Sequence, residues 1–518
     1  MINAHGLVAG PGWLTDESGF PPFANDFGAT LLLRAGGEPP VVALPPGGVP
    51  APDGNGTLRI NSISINDTDQ LLVSAGIEGS AGGADDNQGI YALDLATSEL
   101  TKIAREGDAP PEGDGVFKED GPFRGAFEAF GDLPFTNGGF TAFLGRLDGD
   151  PQTQPPLGVG IYRGSIDGTL TTVARRGRPL PGLPGLALFP LNQSFTPPQV
   201  GDNGLVAFHG SVRTPFGVLD DFYLLVGNGT ETRVILAPET PFGDGSTFAK
   251  LSQNNLLEDS YSLSPSGDFL AAPAESRSGG RAIMLADTSA GGGLPTAVVR
   301  LFDPLPDDRP GNSDRQFITF EPAVVNDSGR VAFRAITREL NVGFFDGVFA
   351  AEADGTVTTL ASPGDSAPAN SSRPDASFLR FAPLPVSIVA ETDGIVVAQN
   401  ALGQVVFGGV LDGPGSVFDN YGLYFSDPDL GLFEIALPGQ SLLGSTLVEW
   451  TFDFGGGGAG SQLIPGQAGN TGLGDGGQVA YRFELADGRS GIAVWSIPEP
   501  GMTALLLVGS LSLRRRVS

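Results

Sequence analysis

Apolar residues come in short bursts along this chain, each closed by Gly, Pro, Asn or Asp. Bursts of that length with that punctuation predict short strands joined by tight turns. The bursts also recur. Eight segments align: NAHGLVAG at 3–10, NDTDQLLV at 66–73, TNGGFTAF at 136–143, GDNGLVAF at 201–208, SPSGDFLA at 264–271, NDSGRVAF at 326–333, NALGQVVF at 400–407 and GDGGQVAY at 474–481. Their glycine positions are Gly6, Asp69, Gly139, Gly204, Gly267, Gly329, Gly403 and Gly477, spaced 62 to 74 residues apart. Asn or Asp with glycine three residues on predicts a turn, because Gly takes positive φ and the Asn side chain closes an Asx-turn. The apolar residues that follow predict a strand.

A second element follows each segment. GIYALDLATSELTKIAREGDAPP at 89–111, GIYRGSIDGTLTTVARRGRPLP at 160–181, GVFAAEADGTVTTLASPGDSAP at 347–368 and GLYFSDPDLGLFEIALPGQS at 422–441 each read as strand, polar turn, strand. A Phe-containing stretch, with Phe195, Phe248, Phe317 and Phe378 as examples, precedes the next Asn-type turn and supplies a fourth strand. Four antiparallel strands repeated along the chain predict an all-β fold, a β-propeller of seven or eight four-stranded blades over 1–497. A β-solenoid would show a period of about 20 residues, which is absent. The last unit ends at GIAVWS (491–496) with only its first strands, and the N-terminal segment is the expected donor of the rest.

Composition sharpens this picture. Glycine (78) and proline (43) far exceed their ordinary joint share of about 12%. The 59 acidic and 29 basic residues leave a net charge of −30, a field that repels phosphate backbones and argues against nucleic acid as a partner. Cysteine is absent, so disulfides and thiolate metal sites are excluded; the two histidines, His5 and His209, leave little for histidine catalysis or zinc.

The eight segments resemble a tandem-repeat family known by its NxxGxVAF motif, found in bacterial surface proteins with assorted anchors. NDSGRVAF at 326–333 matches the string in full; elsewhere Asn gives way to Gly, Ser or Thr, and Phe to Gly10, Val73, Ala271 or Tyr481. The resemblance implies envelope or extracellular placement and no assigned activity.

Residues 498–518 resemble a PEP-CTERM sorting tail: Pro498-Glu499-Pro500, an apolar run, then Arg514-Arg515-Arg516. The run is expected to form a short hydrophobic sorting helix, a membrane stop with its arginines on the cytoplasmic side. From Gly501 to Leu513 it would span about 20 Å against a hydrocarbon core of about 30 Å, a length suited to a transient hold in the inner membrane. The resemblance implies an exosortase-type membrane peptidase as processing partner. Met1 opens directly on a repeat, so an export signal is expected upstream.

The turn residues serve the backbone, and both histidines read as ordinary outward-facing or satisfied residues. Asp303, Asp307, Asp308 and Asp314, and Asp427 with Asp429, lie in carboxylate-rich loops that could admit calcium; none has the full calcium-loop spacing. FGGGGAGSQ at 454–462 lacks the lysine and strand–helix context of a phosphate loop. No catalytic residue, cofactor site or metal site stands out. The expectation is therefore a non-enzymatic surface or matrix protein, with extracellular polysaccharide as a candidate partner. The alternatives are a hydrolase or lyase acting on polysaccharide and a calcium-dependent adhesin.

Overall fold

A computed structural model describes residues 2, 7–12, 29–34, 41–44, 48–82, 87–118, 127–128, 133–148, 158–188, 198–214, 217–242, 245–251, 261–289, 292–306, 315–339, 343–381, 397–452, 472–497 and 507–509. The fold is all-β, a seven-bladed β-propeller, with one further three-stranded sheet. The blades cover 49–105, 116–175, 179–236, 248–300, 315–361, 378–436 and 441–509 and are numbered 1 to 7 in that order. The further sheet pairs Leu7–Gly12, Ala29–Arg34 and Val41–Leu44. Two compact units divide the chain. The first holds this sheet and blades 1 to 3 (1–34, 38–238, 265–267); the second carries blades 4 to 7 (35–37, 239–264, 268–518).

Blade 5 shows the plan. Arg315–Val325, Val331–Glu339, Gly343–Ala351 and Val357–Ala361 form one antiparallel meander, each strand paired with the next. The VAF segment is the second strand, the hairpin supplies the third and fourth, and the Phe stretch supplies the first. Phe248, Phe317 and Phe378 all lie in first strands, whereas Phe195 falls outside the described residues. The D-G-T turn closes the hairpin: Thr356 N–H donates to Asp354 Oδ1 at 2.8 Å, and Gly355 N–H to the Glu352 carbonyl at 2.9 Å.

The recurring aromatics build the same triad in three blades, inside core clusters shared by neighbouring blades. The incoming Phe of the first strand meets the third-strand aromatic edge-on, and that aromatic stacks on the Phe of the VAF segment. In blade 2 these are Phe117, Tyr162 and Phe143; Phe317, Phe349 and Phe333 take the same places in blade 5, and Phe378, Tyr424 and Phe407 in blade 6. The edge-on pairs lie at 5.0, 5.0 and 4.8 Å and the stacked pairs at 5.8, 5.7 and 5.9 Å between ring centroids. Such geometries suit the ring quadrupole and add to the area buried. The glycine two residues before each third-strand aromatic makes room for it. A Cβ at Gly160, Gly347 or Gly422 would lie 2.7 to 2.8 Å from the ring or hydroxyl of Tyr162, Phe349 or Tyr424.

Two expectations are corrected at the chain ends. The N-terminal strands pair among themselves, so the last blade is completed otherwise: Leu507–Gly509 joins Ser490–Trp495 as an antiparallel strand. That same segment lies within the tail expected to be helical. Among the described residues the tail is strand, because the outer edge of Ser490–Trp495 offers the backbone partners that a helix would find within itself. No described helix is long and apolar enough to cross a membrane.

Candidate functional site

The feature that recurs in every blade is the Asn-type turn between first and second strands. The seven described glycine positions, Asp69, Gly139, Gly204, Gly267, Gly329, Gly403 and Gly477, all have φ between 58° and 83°. In six of these turns the N–H at this position donates to the carbonyl of the first turn residue at 2.8 to 3.3 Å. The first residue's own N–H donates to the carbonyl of the fifth at 2.9 to 3.2 Å. A residue in the left-handed region is what lets the chain close this loop and enter the second strand in register.

The Asn side chain then does two jobs. Asn326 Oδ1 accepts the N–H of Ser328 at 3.1 Å and of Arg330 at 3.0 Å, closing its own turn. Its Nδ2 donates to the Ala401 carbonyl in the next turn at 3.3 Å. Asn66 repeats the arrangement, with Nδ2 on the Thr136 carbonyl at 3.0 Å, and Asn400 does so with Nδ2 on the Gly474 carbonyl at 3.1 Å. All three are buried, where an unmade hydrogen bond is costly. Where the Asn is absent, Thr136 and Ser264 use their hydroxyls to accept the turn N–H groups.

The residue after the Asn position ties the turns together from the other side. Asp67 N–H donates to Asn137 Oδ1 at 2.7 Å and Asn137 Nδ2 returns to Asp67 Oδ2 at 2.7 Å; Gly138 N–H donates to Asp202 Oδ1 at 3.0 Å. In the second unit, Ala401 N–H donates to Asp475 Oδ1 at 3.1 Å. Within each unit, turn is therefore bonded to turn. Sequence reasoning assigned these residues to local turns and missed the links between them. The signal was present: a polar residue follows the Asn position in most segments, although nothing local requires it.

The predicted site residues fare unequally. Pro498, Glu499, Pro500, Arg514, Arg515 and Arg516 lie outside the described residues, as do His5, Asp307, Asp308, Asp314 and the 454–462 glycine segment. His209 sits in Val206–Thr214 and is buried, so of the two readings the outward-facing one does not hold; burial lowers its pKa to about 4, so it is neutral. Asp303 Oδ2 accepts the Arg300 N–H at 2.8 Å. Asp427 accepts the N–H of Asp429 and of Leu430, both at 2.9 Å, and the Gln404 side-chain amide at 2.7 Å. Burial alone would raise its pKa, but these donors hold the carboxyl below its usual range. Asp167 and Asp354 are also held low, the first mainly by the Ser165 hydroxyl and the second by the Thr356 N–H. A lowered carboxylate is a turn-former's property and the opposite of what a general acid needs. Among the described residues, no group of three His, Asp or Glu side chains comes together to hold a metal ion.

A known family profile matches residues 2–123, 118–222 and 237–504, nearly the whole chain. The chain belongs to DUF7453, a family of unknown function. The matches of this DUF7453 chain run from the N-terminal sheet into the tail. No curated protein matches it in sequence. Among solved structures it is similar to prolyl oligopeptidase B from Galerina marginata, at 11% identity and TM-score 0.37, over 91% of this chain and 52% of that one. The post-proline cleaving enzyme of Rickettsia typhi has 11% identity and TM-score 0.37, over 93% and 56%. TolB from Acinetobacter baumannii has 12% identity and TM-score 0.26, over 85% and 76%. The chain spans about half the length of the two peptidases, and a likeness this loose transfers neither activity nor site.

Proposed function

We propose that this DUF7453 chain is an exported, non-enzymatic propeller, delivered to the cell surface or extracellular matrix by its C-terminal tail. The observation that carries this reading is the order of the tail: Pro498-Glu499-Pro500, an apolar run, then Arg514-Arg515-Arg516. In that order the arginines stay on the cytoplasmic side; during export, before Leu507–Gly509 pairs with Ser490–Trp495, the run holds the chain in the inner membrane and the Pro-Glu-Pro segment is presented to an exosortase-type membrane peptidase. The folded body supports a scaffold role. Its recurring side chains are spent on turns, on links between turns and on blade cores, and its perturbed carboxylates are stabilised as anions.

The test is processing in a host with a matching peptidase. With an export signal supplied upstream, replacing Arg514, Arg515 and Arg516 with Gln should leave an unprocessed precursor of higher mass in the inner membrane. Wild-type trimming and delivery of that variant would refute the sorting role.

A further inference from the structure

The connections from the fourth strand of one blade to the first of the next share a tight turn. Four of them place a glycine at positive φ: Gly107 at 88°, Gly177 at 75°, Gly364 at 87° and Gly439 at 94°. Each glycine N–H donates to the strand it meets, on the carbonyls of Phe117, Leu188, Phe378 and Leu447, at 2.7 to 2.8 Å. Between blades 4 and 5 the equivalent place is Phe302. Its φ is 67°, and its N–H donates to the Phe317 carbonyl at 2.8 Å. A bulky residue in the left-handed region is strained. Burial does not repay the strain, since Phe302 is 62% exposed. Strain held at a surface position, where the sister turns use glycine, marks that position for a role other than folding.

The surroundings indicate the role. Pro304 bridges to Gln316, Gln316 pairs with Arg338, and Arg338 pairs with Phe344. Residues directly opposed across an antiparallel ladder point to the same face, so Gln316, Arg338 and Phe344 form one row beside the Phe302 turn. Arg338 is exposed, and Phe344 is 70% exposed. The row ends on the exposed ring of Phe344, three interstrand steps or about 14 Å from Pro304, which lies two residues past Phe302, with a planar amide and a guanidinium between.

We propose that this strip on blade 5 binds a linear, neutral polysaccharide. Sugar rings lie on Phe302 and Phe344, while Gln316 and Arg338 hydrogen-bond the hydroxyls between them. The net charge of −30 disfavours uronate-rich or sulfated chains, and a second copy of this protein, by like-charge repulsion. The proposal rests on the extracellular placement above only for where such a glycan is met. Binding is measured on purified protein and sorting on mature mass, so each can fail without the other.

Calorimetric titration of the full chain with cellohexaose and maltohexaose, and with hexagalacturonate as the charged control, tests it. At least one neutral hexaose should bind more tightly than the charged one. Phe302→Gly should keep or raise the melting temperature while weakening that binding at least tenfold. Phe344→Ser should weaken it similarly with melting unchanged. The proposal is overturned if neither neutral hexaose binds, if Phe302→Gly binds as wild type, or if that variant melts lower, which would make Phe302 a folding residue. A cationic amphipathic peptide that binds in a Phe302-dependent way, where the hexaoses do not, would replace the glycan with a protein partner.

Discussion

Replacing Asn326 with Ala removes both jobs of the turn amide at once. Two backbone N–H groups, Ser328 and Arg330, lose their acceptor, and the Ala401 carbonyl loses its donor from the preceding turn. Each lost bond is worth about 1 kcal/mol, and a buried group left unpaired costs about 1 to 3 kcal/mol. Asn326 is 2% exposed, whereas Arg330 and Ala401 are half-buried and Ser328 is exposed, so water replaces part of what is lost. The expected loss is about 2 to 4 kcal/mol, read as a lower urea midpoint followed by fluorescence and circular dichroism. Asn326→Ser separates the two jobs, since Ser264 shows that a hydroxyl can accept the turn N–H groups. That variant should lose only about 1 kcal/mol, the share of the inter-turn bond. If Asn326→Ala falls within about 0.5 kcal/mol of wild type, as ordinary surface changes do, the turn-to-turn links contribute nothing and the reasoning fails.

Gly201→Asn restores the motif residue in blade 3 yet should destabilise the fold, because a Cβ there would lie 2.4 Å from the Gly267 Cα; a higher urea midpoint for this variant would show that the turns do not pack as described. His209 has an ordinary pKa of 6.5, lowered by burial to about 4. The unfolded chain therefore binds the proton first, and stability is lost as pH falls from about 6.5 toward 4, by about 3 kcal/mol in total. In His209→Leu that part of the pH dependence should vanish, so an unchanged slope between pH 6.5 and 4 would place its origin elsewhere.

What the chain encodes locally could be read from it directly. The 62–74 residue spacing, the strand order within a unit and the seven positive-φ positions depend on neighbours a few residues apart, and Asp69 shows the rule holding even where glycine is replaced. The hairpins were legible for the same reason: alternating apolar runs around D-G-T specify a turn and a register together. Tertiary structure decided everything that spans 60 to 75 residues. Whether the Asn66 amide points at solvent or at the Thr136 carbonyl depends on where the next turn is set down, and no local preference fixes that. Gly160 reads as the start of a strand, and only the ring of Tyr162 lying over it explains why it has no side chain. Phe302 occupies a turn whose sister turns use glycine, but its strain and exposure emerge only once the backbone is placed. The tail is the sharpest case. Leu507–Gly509 lies within an apolar run that reads as a short membrane helix, and in the folded chain it pairs as a strand with the open edge of Ser490–Trp495. An apolar segment takes whichever partner satisfies its backbone, and that partner is supplied by the fold.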